Sequence, residues 1–408
     1  MTAVQNKVRE SEIPASVRRL AWGSFFTDFA SEIMYPLVPT FLISVLGASL
    51  GFVGFYEGLS EAAAQISKYF FGKMADKRPD AGKKMVALGY FAANGLRPFI
   101  ALAGTPAIAL AIRFFDRLGK GLRSPARDRW IANSAPAHER GRMFGHQRAM
   151  DHLGAAVGPL FATAYLLWRP GDLSTLFLLT IIPGLVAVGF VFAAPFAEGK
   201  AAPVKAHAAP VVVKAPPAAR RALKWYLGAL FIFALGNSTD AFLLLALQKE
   251  GLAIAWIPIA WCAIHLVKSS GSKICGPLSD RMSKTGLIQM GWVVQILVYG
   301  VFATSASLPV KIGLFVFYGI HYALTESADK TLIASLVHES DRGRVYGLSS
   351  LITGLAMLVA NVVGGWLGDR FGLGTTFALG CSTAALAIIV LTLATGVKGI
   401  EGGLRGQN

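Results

Sequence analysis

Within stretches otherwise suited to lipid, this chain carries acids and bases at helical spacing. Asp28 and Glu32 stand one turn apart on the same helix face, with Tyr35 a turn further on. Glu57 and Glu61 repeat that spacing, and Lys68 follows two turns later. Arg113, Asp116, Arg117 and Lys120 fall at i, i+3, i+4 and i+7, which draws a single polar stripe along a helix. Asp240, the pair His265 and Lys268, and then His321, Glu326 and Asp329 come later in the chain. A charge in mid-membrane costs roughly 3 kcal/mol or more unless it is paired or faces a wet cavity, so each of these is a candidate for function. The chemistry they support is the handling of protons and charged solutes. A carboxylate takes up a proton when it is dried and releases it when wetted or paired with a cation.

These residues need membrane-spanning helices to hold them. The chain has 408 residues, 54% of them apolar and only 15% charged, and a mean hydropathy of +0.53. Soluble domains carry about a quarter charged residues, so this composition excludes an ordinary soluble enzyme. Apolar segments of about 20 residues, the length that crosses a bilayer, recur along nearly the whole chain. Twelve are expected, near 18–46, 50–72, 84–104, 106–126, 142–167, 174–194, 223–247, 253–275, 285–305, 309–334, 344–368 and 373–396.

The net charge of +16 suggests nucleic acid at first sight, but the basic residues sit where topology signals belong. Lys7, Arg9, Arg18 and Arg19 precede the first span. Lys73, Lys77, Arg78, Lys83 and Lys84 separate the second from the third, while Arg127, Arg129, Arg140 and Arg142 separate the fourth from the fifth. Lys200, Lys205, Lys214, Arg220, Arg221 and Lys224 fall between the sixth and seventh, and the alternate loops are nearly bare. The expectation is a multi-pass protein of a bacterial inner membrane with both termini cytoplasmic. Its partners are then lipid, protons and a small solute, with no nucleic acid, and the monomer suffices. The polar start, residues 1–17, contains no cleavable signal and reads with 398–408 as a cytoplasmic tail.

Between residues 198 and 222 the sequence turns to Ala, Pro and Lys with no apolar period, which divides helical bundles at 18–197 and 223–397. The two parts repeat each other. Gly72, Asp76 and Lys77 match Gly276, Asp280 and Arg281. Asp128 to Ser134 echoes Asp329 to Ser335, and Glu139 to Arg142 matches Asp341 to Arg344. Cys262, Cys275 and Cys381 lie in or at the ends of spans without metal-ligand spacing, and read as packing residues. Arg97, Arg148 and Asp151 are expected to form interhelical pairs, Asp151 with Arg148 or a neighbouring helix. Phosphate-loop, nucleophile-elbow and metalloprotease motifs are all missing, so neither enzyme chemistry nor a cofactor or metal is expected.

A parallel duplication of six-helix units resembles the plan of the major facilitator superfamily, with the cargo held between the halves near mid-membrane. Three motifs carry the resemblance. Gly145, Gly154, Gly158 and Pro159 resemble the fifth-helix G-x8-G-x3-G-P signature of proton-driven exporters, although the glycines expected next are Ala162 and Thr163. Gly72 and Asp76 with Gly82, Lys83 and Lys84 resemble the G-x-x-x-D-R-x-G-R-K loop, with three extra residues. Arg117 with Lys120 and Gly121 resembles the fourth-helix R-x-x-Q-G motif, lysine standing for glutamine.

The resemblance implies a twelve-helix, all-α transporter working by alternating access, with the first, fourth, seventh and tenth helices around the cavity. Proton coupling falls to Asp28, Glu32 and Arg117, where Arg117 serves either coupling or structural pairing with Asp116 or Asp28. The cavity is expected to take Tyr35, Glu57, Glu61, Arg113, Asp116, Lys120, Asp240, His321 and Glu326. A cytoplasmic gate would hold Gly72, Asp76, Asp128, Arg142, Asp280, Arg281, Asp329 and Arg344. Proton-driven efflux is the leading expectation. A symporter or exchanger for an anionic metabolite, with Arg113, Arg117, Lys120 and Lys268 as its clamp, is the alternative, and a non-transporting receptor the third.

Overall fold

The computed structural model describes residues 13–77, 81–134, 140–195, 217–337 and 342–396. Among the described residues, sixteen α-helices, joined in places by 3-10 turns, build twelve spans. The first is α1 (Ala15–Met34) and α2 (Val38–Ser44), separated by a 3-10 turn at Tyr35–Leu37. Pro36 and Pro39 lack the N–H groups that a continuous helix would use there. The next two spans are α3 (Leu50–Lys77) and α4 (Gly82–Leu96), the latter tightening to a 3-10 turn at Arg97–Leu102 where Pro98 follows Arg97. Then come α5 (Pro106–Asn133), capped by the Thr105 side chain, α6 (Arg140–Trp168), and the sixth span as α7 (Leu173–Leu179) with α8 (Ile181–Ala193).

The second half begins with α9 (Pro217–Ala234) and α10 (Asp240–Lys249), broken between them by Gly236, Asn237 and Ser238. Helix α9 starts inside the stretch expected as linker, because Pro217 suits a first helical position. The remainder of that stretch, with both tails, lies outside the described residues. A 3-10 turn at Ile254–Trp256 leads into α11 (Ile257–Arg281), followed by α12 (Lys284–Phe302). Helices α13 (Leu308–Phe317) and α14 (Gly319–Leu336) make the tenth span, and α15 (Arg342–Phe371) and α16 (Leu373–Gly396) the last two.

Among the described residues, six stretches are apolar enough to cross a membrane by length and composition alone: 82–102, 173–193, 284–302, 308–336, 345–371 and 373–394. Helix α5 fails that test because of the polar stripe it carries.

The duplication is visible in the turns. Gly47 and Gly251 occupy matching places after the first and seventh spans, and both adopt positive φ (66° and 104°). A side chain rarely tolerates that backbone, so each turn depends on its glycine.

Apolar packing divides the molecule by end. At the short-loop end a single core joins both halves: Phe41, Val53, Tyr56 and Phe177 pack with Phe242, Leu247, Ile257, Phe302 and Phe377. Toward the basic-loop end each half has its own core. One holds Leu20, Val86, Tyr90, Trp130 and Val191, and the other Tyr226, Trp292, Leu332 and Leu391. Across the halves α3 packs on α15 and α11 on α6.

The α3–α15 seam is closest at the short-loop end. A Cβ on Gly54 would overlap the Asn361 carbonyl, and one on Gly365 would lie 2.5 Å from the Leu50 carbonyl. Further toward the basic loops, a Cβ on Gly354 would have 3.6 Å to Gln65. Hydrogen bonds add to the closure: Asp369 accepts from the Leu50 and Gly51 amides at 2.8 and 2.7 Å, and Thr40 donates to Gln248 at 2.7 Å.

Candidate functional site: a charged cavity between the halves

Beneath the shared core lies a cavity of about 280 Å³. The first half lines it with Asp28, Ser31, Glu32, Tyr35, Glu61, Arg97, Arg113, Arg117, Lys120 and Arg123, and the second with Asp240, Trp261, His265 and Lys268. The expected residues Asp28, Glu32, Tyr35, Glu61, Arg113, Arg117, Lys120 and Asp240 are thus brought together.

Glu57 and Asp116 are buried beside this lining, at 6% and 1% exposure. His321 is packed away from it, its ring 5.2 Å from that of Tyr318 and its Nδ1 2.8 Å from the Gly291 carbonyl oxygen. Glu326 is not at the cavity. It lies toward the basic loops, exposed, pairing with Lys330 at 3.1 Å across one helical turn. It stands one turn beyond Tyr322, the α14 residue that reaches Asp240 of the lining.

The α5 stripe is folded around one carboxylate. Asp116 accepts from Arg97 at 2.9 Å and from Arg113 at 3.1 Å, with all three side chains buried. That places Arg97 in an interhelical pair, as its sequence suggested. Tyr35 lies under both Arg113 and Arg117, 5.3 and 5.9 Å from ring centroid to guanidinium carbon. Among the described residues, the ion-pair partners of Asp116 are Arg97 and Arg113, not Arg117. Glu61 is instead bonded to Gln65 at 2.5 Å.

Asp151 pairs with Arg127 at 4.0 Å and with Gln147 at 2.9 Å, so its cation comes from α5 rather than from Arg148. Arg127 also reaches Ser24 of α1 and its neighbour Asp128.

At three places the site holds residues or partners that sequence reasoning did not name. The Trp261 indole donates to Glu32 at 2.8 Å, joining the halves through 229 residues of chain separation. Asp240 accepts from Tyr322 at 2.7 Å and pairs with Lys268 at 3.4 Å. Arg123, its guanidinium 4.3 Å from the Tyr90 centroid, also joins the lining. This last residue was legible in principle, being three positions beyond Lys120 on the same stripe.

The two halves answer each other with different chemistry. The register that aligns Asp128 with Asp329 also aligns Arg117 with Tyr318 and Lys120 with His321. Cations on α5 therefore correspond to rings on α14.

The glycine ladder meets α1. A Cβ on Gly154 would run into the Phe25 carbonyl, and one on Gly158 would lie 2.6 Å from the Phe29 carbonyl and 3.3 Å from Cβ of Glu32. Pro159 lies buried within α6, while Gly145 has nothing within 4 Å of a built Cβ. Helix α6 thus seats the helix that carries Asp28 and Glu32.

Of the expected gate, Gly72 lies 3.9 Å from Pro125 by the same construction, and Asp128 pairs with Arg127 at 3.1 Å. Asp329 accepts from the Tyr226 hydroxyl at 2.8 Å, and Arg142 is exposed. The side chains of Asp76, Asp280, Arg281 and Arg344 lie outside the described residues. The cysteines pack as expected: Cys262 and Cys275 are buried, and Cys262 and Cys381 approach the Ala156 and Ile296 carbonyls.

Comparison with known proteins agrees with this architecture. The family model described as Major Facilitator Superfamily matches residues 20–360. An uncharacterized MFS-type transporter of Methanocaldococcus jannaschii is 29% identical over 373 residues, covering 89% of this chain and 91% of that protein. A Staphyloferrin B transporter of Staphylococcus aureus is 27% identical over 172 residues, 40% of each chain. The crystal structure of a nucleoside transporter superposes with a TM-score of 0.74 at 13% identity, covering 93% of this chain and 98% of that one.

Proposed function

This chain belongs to the Major Facilitator Superfamily, and from that premise we propose that it exports a small organic solute by exchange for protons. It is a multi-pass membrane transporter rather than an enzyme. The halves, 18–197 and 223–397, rock about the central cavity, with the basic loops and both termini on the cytoplasmic side of a bacterial inner membrane. One copy of the chain is the working unit.

The observation that carries the reading is the bond from Trp261 to Glu32. It ties a carboxylate of the first half to an aromatic residue of the second, at the wall of the cavity. A charged carboxylate holds an indole N–H more strongly than a protonated one does, since bonds to ionised groups are roughly twice as strong. Protonation of Glu32 therefore loosens a link between the halves. Asp28, one turn away on α1, is the second proton carrier. Lys120 and Arg123 line the same cavity as Asp28 and are the cations available to it. Arg117 faces the same cavity and completes the coupling set.

Outward direction is supported by the ladder. Gly154 and Gly158 hold α1 against α6 where Asp28 and Glu32 lie, and the sequence they form resembles that of proton-driven exporters. A partial relative named as a Staphyloferrin B transporter supports an organic cargo. Asp128, Arg142 and the loops around Gly72 form the cytoplasmic gate of this scheme, with Asp76, Asp280, Arg281, Asp329 and Arg344.

The test is flux in sealed liposomes under an imposed pH gradient, with a panel of drugs and organic acids. Export predicts that solute moves against the proton flow, and that Glu32→Gln and Asp28→Asn abolish the dependence on the gradient. Solute moving with the protons would replace export by symport. A panel in which nothing crosses would count against transport of these classes altogether.

A further inference from the structure

Four carboxylates at the central cavity are engaged by the protein, with Asp28 beside them in the lining, while several of the donors are left over. Asp116 takes Arg97 and one nitrogen of Arg113. Glu61 is bonded to Gln65, Glu32 to Trp261, and Asp240 to Tyr322 and Lys268. On the donor side, Nε and Nη2 of Arg113, Nε of Arg117, and Nε and Nη1 of Arg123 are buried with no hydrogen-bond partner among the described residues. Arg113 is 3% exposed and Arg123 6%, so bulk water does not serve them. Aromatic rings cover their faces: Tyr35 for Arg113 and Arg117, and Tyr90 for Arg123. A guanidinium stacked on a ring presents its N–H groups at the edge, in the plane that matches a carboxylate or phosphate.

An unpaired buried cationic donor is costly, and the group that relieves it must bring acceptors and negative charge. The opposite wall sets the rings of Trp261 and His265, edge to face, beside Asp240 and Lys268, and so offers aromatic surface to the remainder of such a molecule. We propose that the cargo of this cavity is an organic oxyanion, a carboxylate or a phosphate, seated on Arg113, Arg117 and Arg123. The proposal rests on the transporter reading but not on the direction of transport.

Titration calorimetry on the full chain in lipid nanodiscs tests it, with citrate, phenyl phosphate and tetraphenylphosphonium as probes. An oxyanion is expected to bind and the cation is not, with citrate against phenyl phosphate deciding between carboxylate and phosphate. Arg117→Gln and Arg123→Gln should each weaken binding about 10-fold or more, the usual effect of removing a charged hydrogen bond. Arg123→Lys keeps the charge and the fold but loses the planar fork, and should fall between. Arg169→Gln, at the exposed end of α6 beside Trp168, should bind as the parent does.

Binding of tetraphenylphosphonium with both oxyanions inert overturns the seat and leaves the export reading standing. Unaltered affinity in both glutamine variants also overturns it. Citrate or phenyl phosphate carried inward with protons would retire export and leave the seat intact.

Discussion

Asp116 is one carboxylate between two guanidiniums, and its removal would leave Arg97 and Arg113 facing each other in a dry place. Breaking a buried pair by deleting one partner costs about 3–5 kcal/mol. Asp116→Asn should therefore lower the midpoint of thermal unfolding in detergent clearly, while Asp128→Asn, at an exposed carboxylate, should leave it nearly unchanged. Glu32→Gln is different in kind. The amide oxygen can still accept from Trp261 but cannot titrate, so solute binding should persist while flux loses its response to a pH gradient. The charged side chains were legible in the sequence because an ionisable group in an apolar segment stands out by type, and helical spacing assigns it a face. Trp261 was not, because a contact made through folding leaves no local pattern. His321 and Glu326 show the remaining limit: a helix can be assigned to the cavity wall while a given residue points elsewhere or sits too far along it.

Between elements, the deciding contacts are backbone against backbone. Gly158 admits the Phe29 carbonyl of α1, whereas a Cβ added at Gly145, thirteen residues earlier on the same helix, would meet no atom of the described residues within 4 Å. Gly158→Ala should push α1 outward, carrying Glu32 with it, and cost about 1–3 kcal/mol as overpacking does. Gly145→Ala should be silent or slightly stabilising, since glycine is a poor helix former. Parallel unfolding and flux measurements on the two variants check this. If both lose flux equally, close approach to α1 is not what the ladder provides. The spacing of the ladder could be read from sequence, but its partner could not. The breaks near Pro36 and Pro98 follow from proline, whereas the paired turns at Gly47 and Gly251 went unread because their flanking residues differ.

At the scale of the molecule, the order of the spans and their division into two repeats were open to sequence reasoning. Hydrophobic length and duplicated loop motifs are strong, redundant signals. How the halves meet was not, since apolar residues facing lipid and those facing the other half look alike. Thr40 and Gln248 touch across the short-loop end at 2.7 Å. A cysteine pair there, in a background free of Cys262, Cys275 and Cys381, should stop flux when oxidised and restore it on reduction. Undiminished flux in the fully cross-linked protein would show that this end never has to open.

The apolar core at that end has an electrical consequence. Where charges and water lie on one side of a thin dry layer, the membrane voltage drops across that layer instead of across the full bilayer. A single elementary charge crossing the whole drop exchanges about 2.3 kcal/mol per 100 mV. Phe41, Tyr56, Phe242 and Phe377 are then the dielectric of a small capacitor, and the carboxylates of α1 lie near one plate. The voltage sensitivity of the transport cycle should accordingly reside in the parting of these rings, and thinning them with alanine should concentrate the drop over a shorter distance.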